Sequence, residues 1–203
     1  MRDIALRQQV LTTLLLLAIT FALWVAAEPL LTTPAKWLAH ALLTGWLPEI
    51  IETTIFEPGA FLVVTKFTDI NGIVSLAAPG EDGLAFRLDT RLVSYGLPFY
   101  AALLWGSRIA NPFNTFAVGL FLIWLTMALG LIAMTAKDLM LVIGYPFLTA
   151  DWVPPAAVLV VSYQFSVLLM PTLAPVLIWI FQLKGSPLWH RLEGQLEKPR
   201  NKG

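Results

Sequence analysis

The sequence predicts an α-helical membrane protein: four transmembrane helices, with a small extracytoplasmic amphipathic helix and a three-stranded antiparallel β-meander. Three observations lead there. Of 203 residues, 58% are hydrophobic and only 13% charged, with a mean hydropathy of +0.75; soluble domains run near 45–50% apolar and ~25% charged. Long uncharged runs lie between isolated charges. Between residues 28 and 91 the pattern changes, with eight acidic and four basic residues and a two-residue alternation.

A helix crossing ~30 Å of hydrocarbon needs about 20 apolar residues. Residues 8–27 carry no charge between Arg7 and Glu28, nor do 109–136 between Arg108 and Lys137 or 152–183 between Asp151 and Lys184. A fourth run, LVSYGLPFYAALLWGS (92–107), lies between Arg91 and Arg108. Seventeen steps at 1.5 Å make about 25 Å, and arginines at both ends can snorkel outward. The expected spans are 10–30, 94–108, 113–135 and 154–183.

Charge placement favours counting four. Both termini then share a side with Arg2, Arg7, Arg108, Lys184, Arg191, Lys198, Arg200 and Lys202; Lys36, Lys66, Arg87, Arg91 and Lys137 fall opposite, spread over longer loops. Basic short loops stay cytoplasmic, so both ends are expected inside a bacterial inner membrane. Three spans would turn the basic tail outward. Arg2, Arg7 and Val25-Ala26-Ala27 before Glu28 also resemble a signal peptide with its cleavage site, but the apolar run is long for one and reads as an uncleaved anchor. The expected division is therefore 1–31 as first helix, 32–91 as the outer element, 92–183 as three more helices with an interfacial loop at 137–155, and 184–203 as a basic tail.

In the outer element, Thr32 or Thr33 before Pro34 reads as a helix start. Trp37, Leu38, Ala41, Leu42 and Gly45/Trp46 then form an apolar face, with Lys36, His40 and Thr44 on a solvated one. Such a helix fits the membrane surface. After Pro58 the period becomes two. GAFLVVTKFTD (59–69), GIVSLAA (72–78) and residues 84–92 are the three expected strands, with a tight turn at Asn71-Gly72. In the last strand Leu84, Phe86, Leu88, Thr90 and Leu92 share one face; Ala85, Arg87, Asp89 and Arg91 share the other. Pro171 and Pro175 are expected to kink the final span.

Chemistry is sparse. Without cysteine there is no disulfide, thiolate site or cysteine nucleophile. His40 and His190 lie in different segments. A net charge of zero gives no reason for nucleic-acid binding. No span interior holds a clear charge, which counts against a transporter or proton relay. Glu49, Glu52 and Glu57 read as a solvated edge. No catalytic, cofactor or metal residues are predicted, and no cofactor. Arg87, Asp89 and Arg91, aligned by strand alternation, read either as cross-strand ion pairs or as a docking patch for an anionic partner or lipid. They are the candidate site.

Three stretches carry a family likeness: FALWVAAEPLLTTPAKWLAHALL (21–43), FLVVTKF (61–67) and LVSYGLPFYAALL (92–104). Over about the first half of the chain, the sequence resembles the exosortase H-associated membrane proteins. That resemblance implies a non-catalytic accessory of a bacterial protein-sorting system, with the bilayer and an exosortase-like membrane protein as partners. The sorting enzyme itself is thought to use a cysteine, absent here. A structural subunit of a respiratory or photosynthetic complex is the second reading, a lipid-acting enzyme the third.

Overall fold

The structure is a computed structural model describing residues 2–70, 73–78, 80–107, 109, 111–150 and 152–184. Expectations about Asn71-Gly72, Arg108, Asp151, His190 and the tail beyond Lys184 fall outside the described residues.

One helix, α1 (Arg2–Trp46), dominates. At 1.5 Å per residue its 45 residues make about 67 Å, twice the thickness of a bilayer core. The separate amphipathic helix expected after residue 31 does not exist: Pro29 and Pro34 lie inside α1. Thr33 is no cap: it lies inside the helix, and its Oγ1 donates back to the Pro29 carbonyl at 2.7 Å. The predicted faces of this segment are also inverted. Trp37 and Leu42 are exposed, whereas Ala35, Lys36, Ala39, Leu43 and Leu47 are buried. The small Ala35 and Ala39 admit a β-sheet, and the sheet takes the face they occupy.

Past α1 the chain turns back through β1 (Ile51–Glu57), rises in β2 (Ala60–Thr65), forms a hairpin of β3 (Phe67–Ile70) and β4 (Ile73–Leu76), and returns in β5 (Ala85–Asp89). The three-stranded sheet is antiparallel with order β1-β2-β5. It is not the meander expected: β1 was unforeseen, the 59–69 run divides at Lys66, and β4 pairs with β3 in a sheet of its own. Ile70 and Ile73 pair across the hairpin end where the tight turn was expected. Alternation in β5 holds, with Leu88 buried and Arg87 and Asp89 exposed. It stops there, since Arg91 opens α2 (Arg91–Ser94) and Leu92 is exposed.

After α2 come α3 (Gly96–Gly106), α4 (Pro112–Val142), α5 (Tyr145–Leu148), α6 (Ala156–Tyr163), a π-helical turn (Gln164–Leu169) and α7 (Met170–Leu183). Among the described residues three helical stretches are long and apolar enough to cross a membrane: 10–46, 112–142 and 156–183. The expected fourth span is the shorter α2–α3 pair; α3 has 11 residues. The last stretch is interrupted by the π-helical turn just before Pro171, while α7 continues through Pro175. Pro175 has no N–H, which frees the Pro171 carbonyl. That carbonyl rests against Gly96, where a Cβ would come within 2.6 Å of the oxygen. Tyr95 and Thr172 join their hydroxyls beside it at 3.0 Å.

Candidate functional site

The foot of the sheet is built around Pro58-Gly59, which joins β1 to β2. Proline at the first central position and Gly59 at φ +70° suit a type II turn. The Gly59 carbonyl accepts the Thr90 N–H at 3.2 Å, which brings the end of β5 alongside. Arg87, Asp89 and Arg91 thereby line one recess of about 280 Å³ with Pro58 and Gly59. The predicted trio does converge, although Arg91 arrives from a helix rather than the strand.

Each member has a different role. Arg87 Nη1 pairs with Glu57 Oε2 at 3.2 Å, with the two side chains 67% and 37% exposed; such a pair contributes about 0–1 kcal/mol. Asp89 Oδ1 accepts the Arg91 backbone N–H at 2.9 Å. The Arg91 guanidinium lies against Gly59, its Nε 3.6 Å from where a Cβ would stand. Among the described residues it forms no ion pair.

Behind this foot runs a buried polar row that sequence reasoning missed. Glu28, Thr32 and Lys36 recur at four-residue spacing on α1, all buried, facing buried Thr90 and Ser94. Thr90 Oγ1 donates to Glu28 Oε1 at 2.5 Å, and Lys36 Nζ donates to the Glu57 carbonyl at 2.8 Å. Lys36 lies in the part of α1 that carries the sheet. Burial pushes its ammonium below the ordinary lysine pKa, and the Glu28 carboxylate opposes that shift. The hydroxyls of Thr32 and Ser94 are buried and have no hydrogen-bond partner among the described residues. The legible signal was the i, i+4, i+8 spacing of polar residues within an apolar helix.

Other candidates separate. Glu49 precedes β1, while Glu52 and Glu57 stand five apart on it, so they form no cluster. Among the described residues no three His, Asp or Glu side chains group to hold a metal. His40 is not a solvated surface residue; it is half-buried, with Nδ1 2.9 Å from Thr54 Oγ1. An apolar crevice of about 170 Å³ lies where α1, α3 and α4 meet, beside Trp24 and Trp105.

A helical bundle long and apolar enough for a bilayer, bearing a small polar sheet with an arginine recess, defines a membrane protein that presents a surface. The chain belongs to the exosortase H-associated membrane protein family, whose model matches residues 3–185. No curated protein and no solved structure matches it.

Proposed function

We propose that this protein is a non-catalytic accessory of an exosortase system in the bacterial inner membrane, offering its outward sheet to the sorting enzyme. The observation that carries the reading is the foot of that sheet, where Arg87, Asp89 and Arg91 surround one recess and Arg91 has no ionic partner among the described residues. Arg87, Asp89 and Arg91 and the adjoining sheet edge form the docking surface. An edge strand with open hydrogen-bonding groups is a ready template for a second chain.

Four crossings support the orientation. Glu28 bonds Thr90, Val93 abuts Gly130, and Gly130 faces the Ser166 carbonyl, so these residues share a level. Going inward from it, Glu28 to Gln8, Thr90 to Ser107, Gly130 to Pro112 and Ser166 to Lys184 run about 30, 26, 27 and 27 Å at 1.5 Å per residue. All four lengths suit one hydrocarbon slab of ~30 Å. Arg7 and Lys184 adjoin these inner ends in the sequence and five of the remaining basic residues follow them or Ser107 in the chain, the bias that favours a cytoplasmic side. The native chain has no cysteine, so single cysteines report cleanly. Glu81→Cys should label from outside and Asn201→Cys should not; labelling of both from one side contradicts the orientation.

Arg87→Glu with Arg91→Glu should abolish co-purification with the exosortase while leaving expression and membrane insertion intact. A well-folded double variant that still binds removes the docking surface. Co-migration of the native protein with a redox complex instead would replace the reading altogether.

A further inference from the structure

We infer that the recess at the foot of the sheet seats a phospholipid headgroup: a phosphodiester whose head alcohol carries a hydrogen-bond donor, such as ethanolamine or glycerol. The inference rests on the level proposed above for the outer edge of the hydrocarbon.

Thr90 fixes the depth. Its side chain bonds Glu28, the first charged residue after the apolar run 8–27, and its N–H bonds the Gly59 turn. Arg91 and Gly59 therefore both stand where the hydrocarbon ends and the phosphates of the outer leaflet begin. Leu92, next in the chain, is 47% exposed, as a residue facing acyl chains would be.

The chemistry matches that depth. Arg91 presents a planar fork of N–H donors without a carboxylate to occupy it, and phosphate oxygens fit such a fork two at a time. Gly59 makes the tight turn possible at a φ of +70°, and the guanidinium lies alongside it, 3.6 Å from where a Cβ would stand. Arg87 forms the second basic wall, held in place by Glu57. Asp89 supplies the discrimination. One of its oxygens receives the Arg91 N–H, and the carboxylate keeps further acceptor capacity. A carboxylate beside a phosphate site rewards a headgroup that brings its own donor. Ethanolamine and glycerol have one; choline, fully methylated, does not. A recess of about 280 Å³ holds such a headgroup. Arg91 with its bound headgroup is then part of the same docking surface that Arg87 and the strand edge offer to the protein partner.

The test uses the full chain in detergent, titrated with phosphatidylethanolamine or phosphatidylcholine and read by native mass spectrometry. The wild type should retain phosphatidylethanolamine about fivefold better than phosphatidylcholine, and Arg91→Gln should lose about fivefold on both, the factor that one cation at a phosphate surface is worth. Asp89→Asn keeps an oxygen for the Arg91 N–H and should erase the preference between the two lipids. Arg91→Lys, retaining charge without the fork, should recover part of the loss. Wild-type retention by Arg91→Gln overturns the inference. So does release of lipid by soluble glycerol phosphate, which would mark a site for free anions. Loss of exosortase co-purification in Arg91→Gln with lipid retained would assign the recess to the protein partner. Cysteine labelling decides the orientation separately, so failure there and failure here are distinguishable.

Discussion

Gly119→Ala is expected to destabilise the protein by about 3 kcal/mol, at the upper end of what a single overpacked methyl usually costs. Gly119 lies on the face of α4 that meets Tyr100 of α3, and an added Cβ would stand 2.0 Å from the phenolic oxygen and 2.2 Å from the ring carbon bearing it. The ring cannot retreat. Tyr100 is fully buried and stacks on Phe116 at 5.8 Å. Its hydroxyl sits 2.9 Å from the Thr115 carbonyl and 2.7 Å from Gln182 Oε1. The single phenolic proton serves one of them at a time, while Gln182 Nε2 donates to Thr115 at 3.0 Å. This knot ties α3, α4 and α7 at the end of the bundle away from the sheet, where polar groups among apolar helices have few other partners. Gly45→Ala is the control. Nothing lies within 4 Å of its added Cβ, so a helical alanine should be neutral or stabilise by about 0.5 kcal/mol. Unfolding in detergent followed by tryptophan fluorescence compares the two. Equal behaviour would mean that α3 is not seated against α4.

The membrane character, the existence of three long apolar helices and the small antiparallel sheet were legible because each follows from local composition and period. Charge-free runs between Arg7 and Glu28 or Asp151 and Lys184 admit few other readings in water. The Arg87/Asp89 alternation was legible too, because a period of two leaves the two faces little freedom. What failed were boundaries and faces. Thr33-Pro34 has the composition of a helix start, yet a proline inside a helix is tolerated where neighbours satisfy the freed carbonyls. Here α1 runs through both prolines, and Thr33, inside the helix, turns its Oγ1 back to the Pro29 carbonyl instead of capping a new helix. The buried face of α1 was misjudged for a related reason. Trp37 and Leu42 are the more apolar residues, but Ala35 and Ala39 let a strand approach, and packing against β-structure rewards small residues as well as apolar ones. Lys36 came with them, able to lie buried because its ammonium reaches the Glu57 carbonyl. Strand β1, ETTIF within acidic neighbours, looked like a solvated edge because its partner β2 lies on the far side of a two-residue turn. The recess was half legible: Arg91 belongs to it through the turn after Thr90, which no period predicts.

Glu28→Leu should cost about 2–3 kcal/mol, the range for removing a charged acceptor from a buried donor. Thr90 would lose the partner of its hydroxyl, and Lys36 would lose the carboxylate that favours its charged form. The row already contains two buried hydroxyls with no partner among the described residues, Thr32 and Ser94, so it carries unmet hydrogen-bonding capacity before the substitution adds more. Glu28→Gln separates the two contributions. It keeps an oxygen for Thr90 and removes only the charge, so about half of the loss should return. If Gln is as harmful as Leu, the field at Lys36 rather than the hydrogen bond dominates. A neutral Glu28→Leu would remove the row from any structural role. The position matters for function because Thr90 is the hinge of the whole arrangement. One residue before it, Asp89 belongs to the outward sheet; one after it, Arg91 belongs to the helix entering the bundle. Glu28 holds that hinge to α1, and in the proposed orientation it sets the height at which the arginine recess meets the membrane surface. Glu28→Leu should accordingly weaken exosortase co-purification even at temperatures where the variant stays folded, whereas Gly119→Ala should not. Binding by folded Glu28→Leu at the wild-type level would show that the sheet docks without needing its tie to α1.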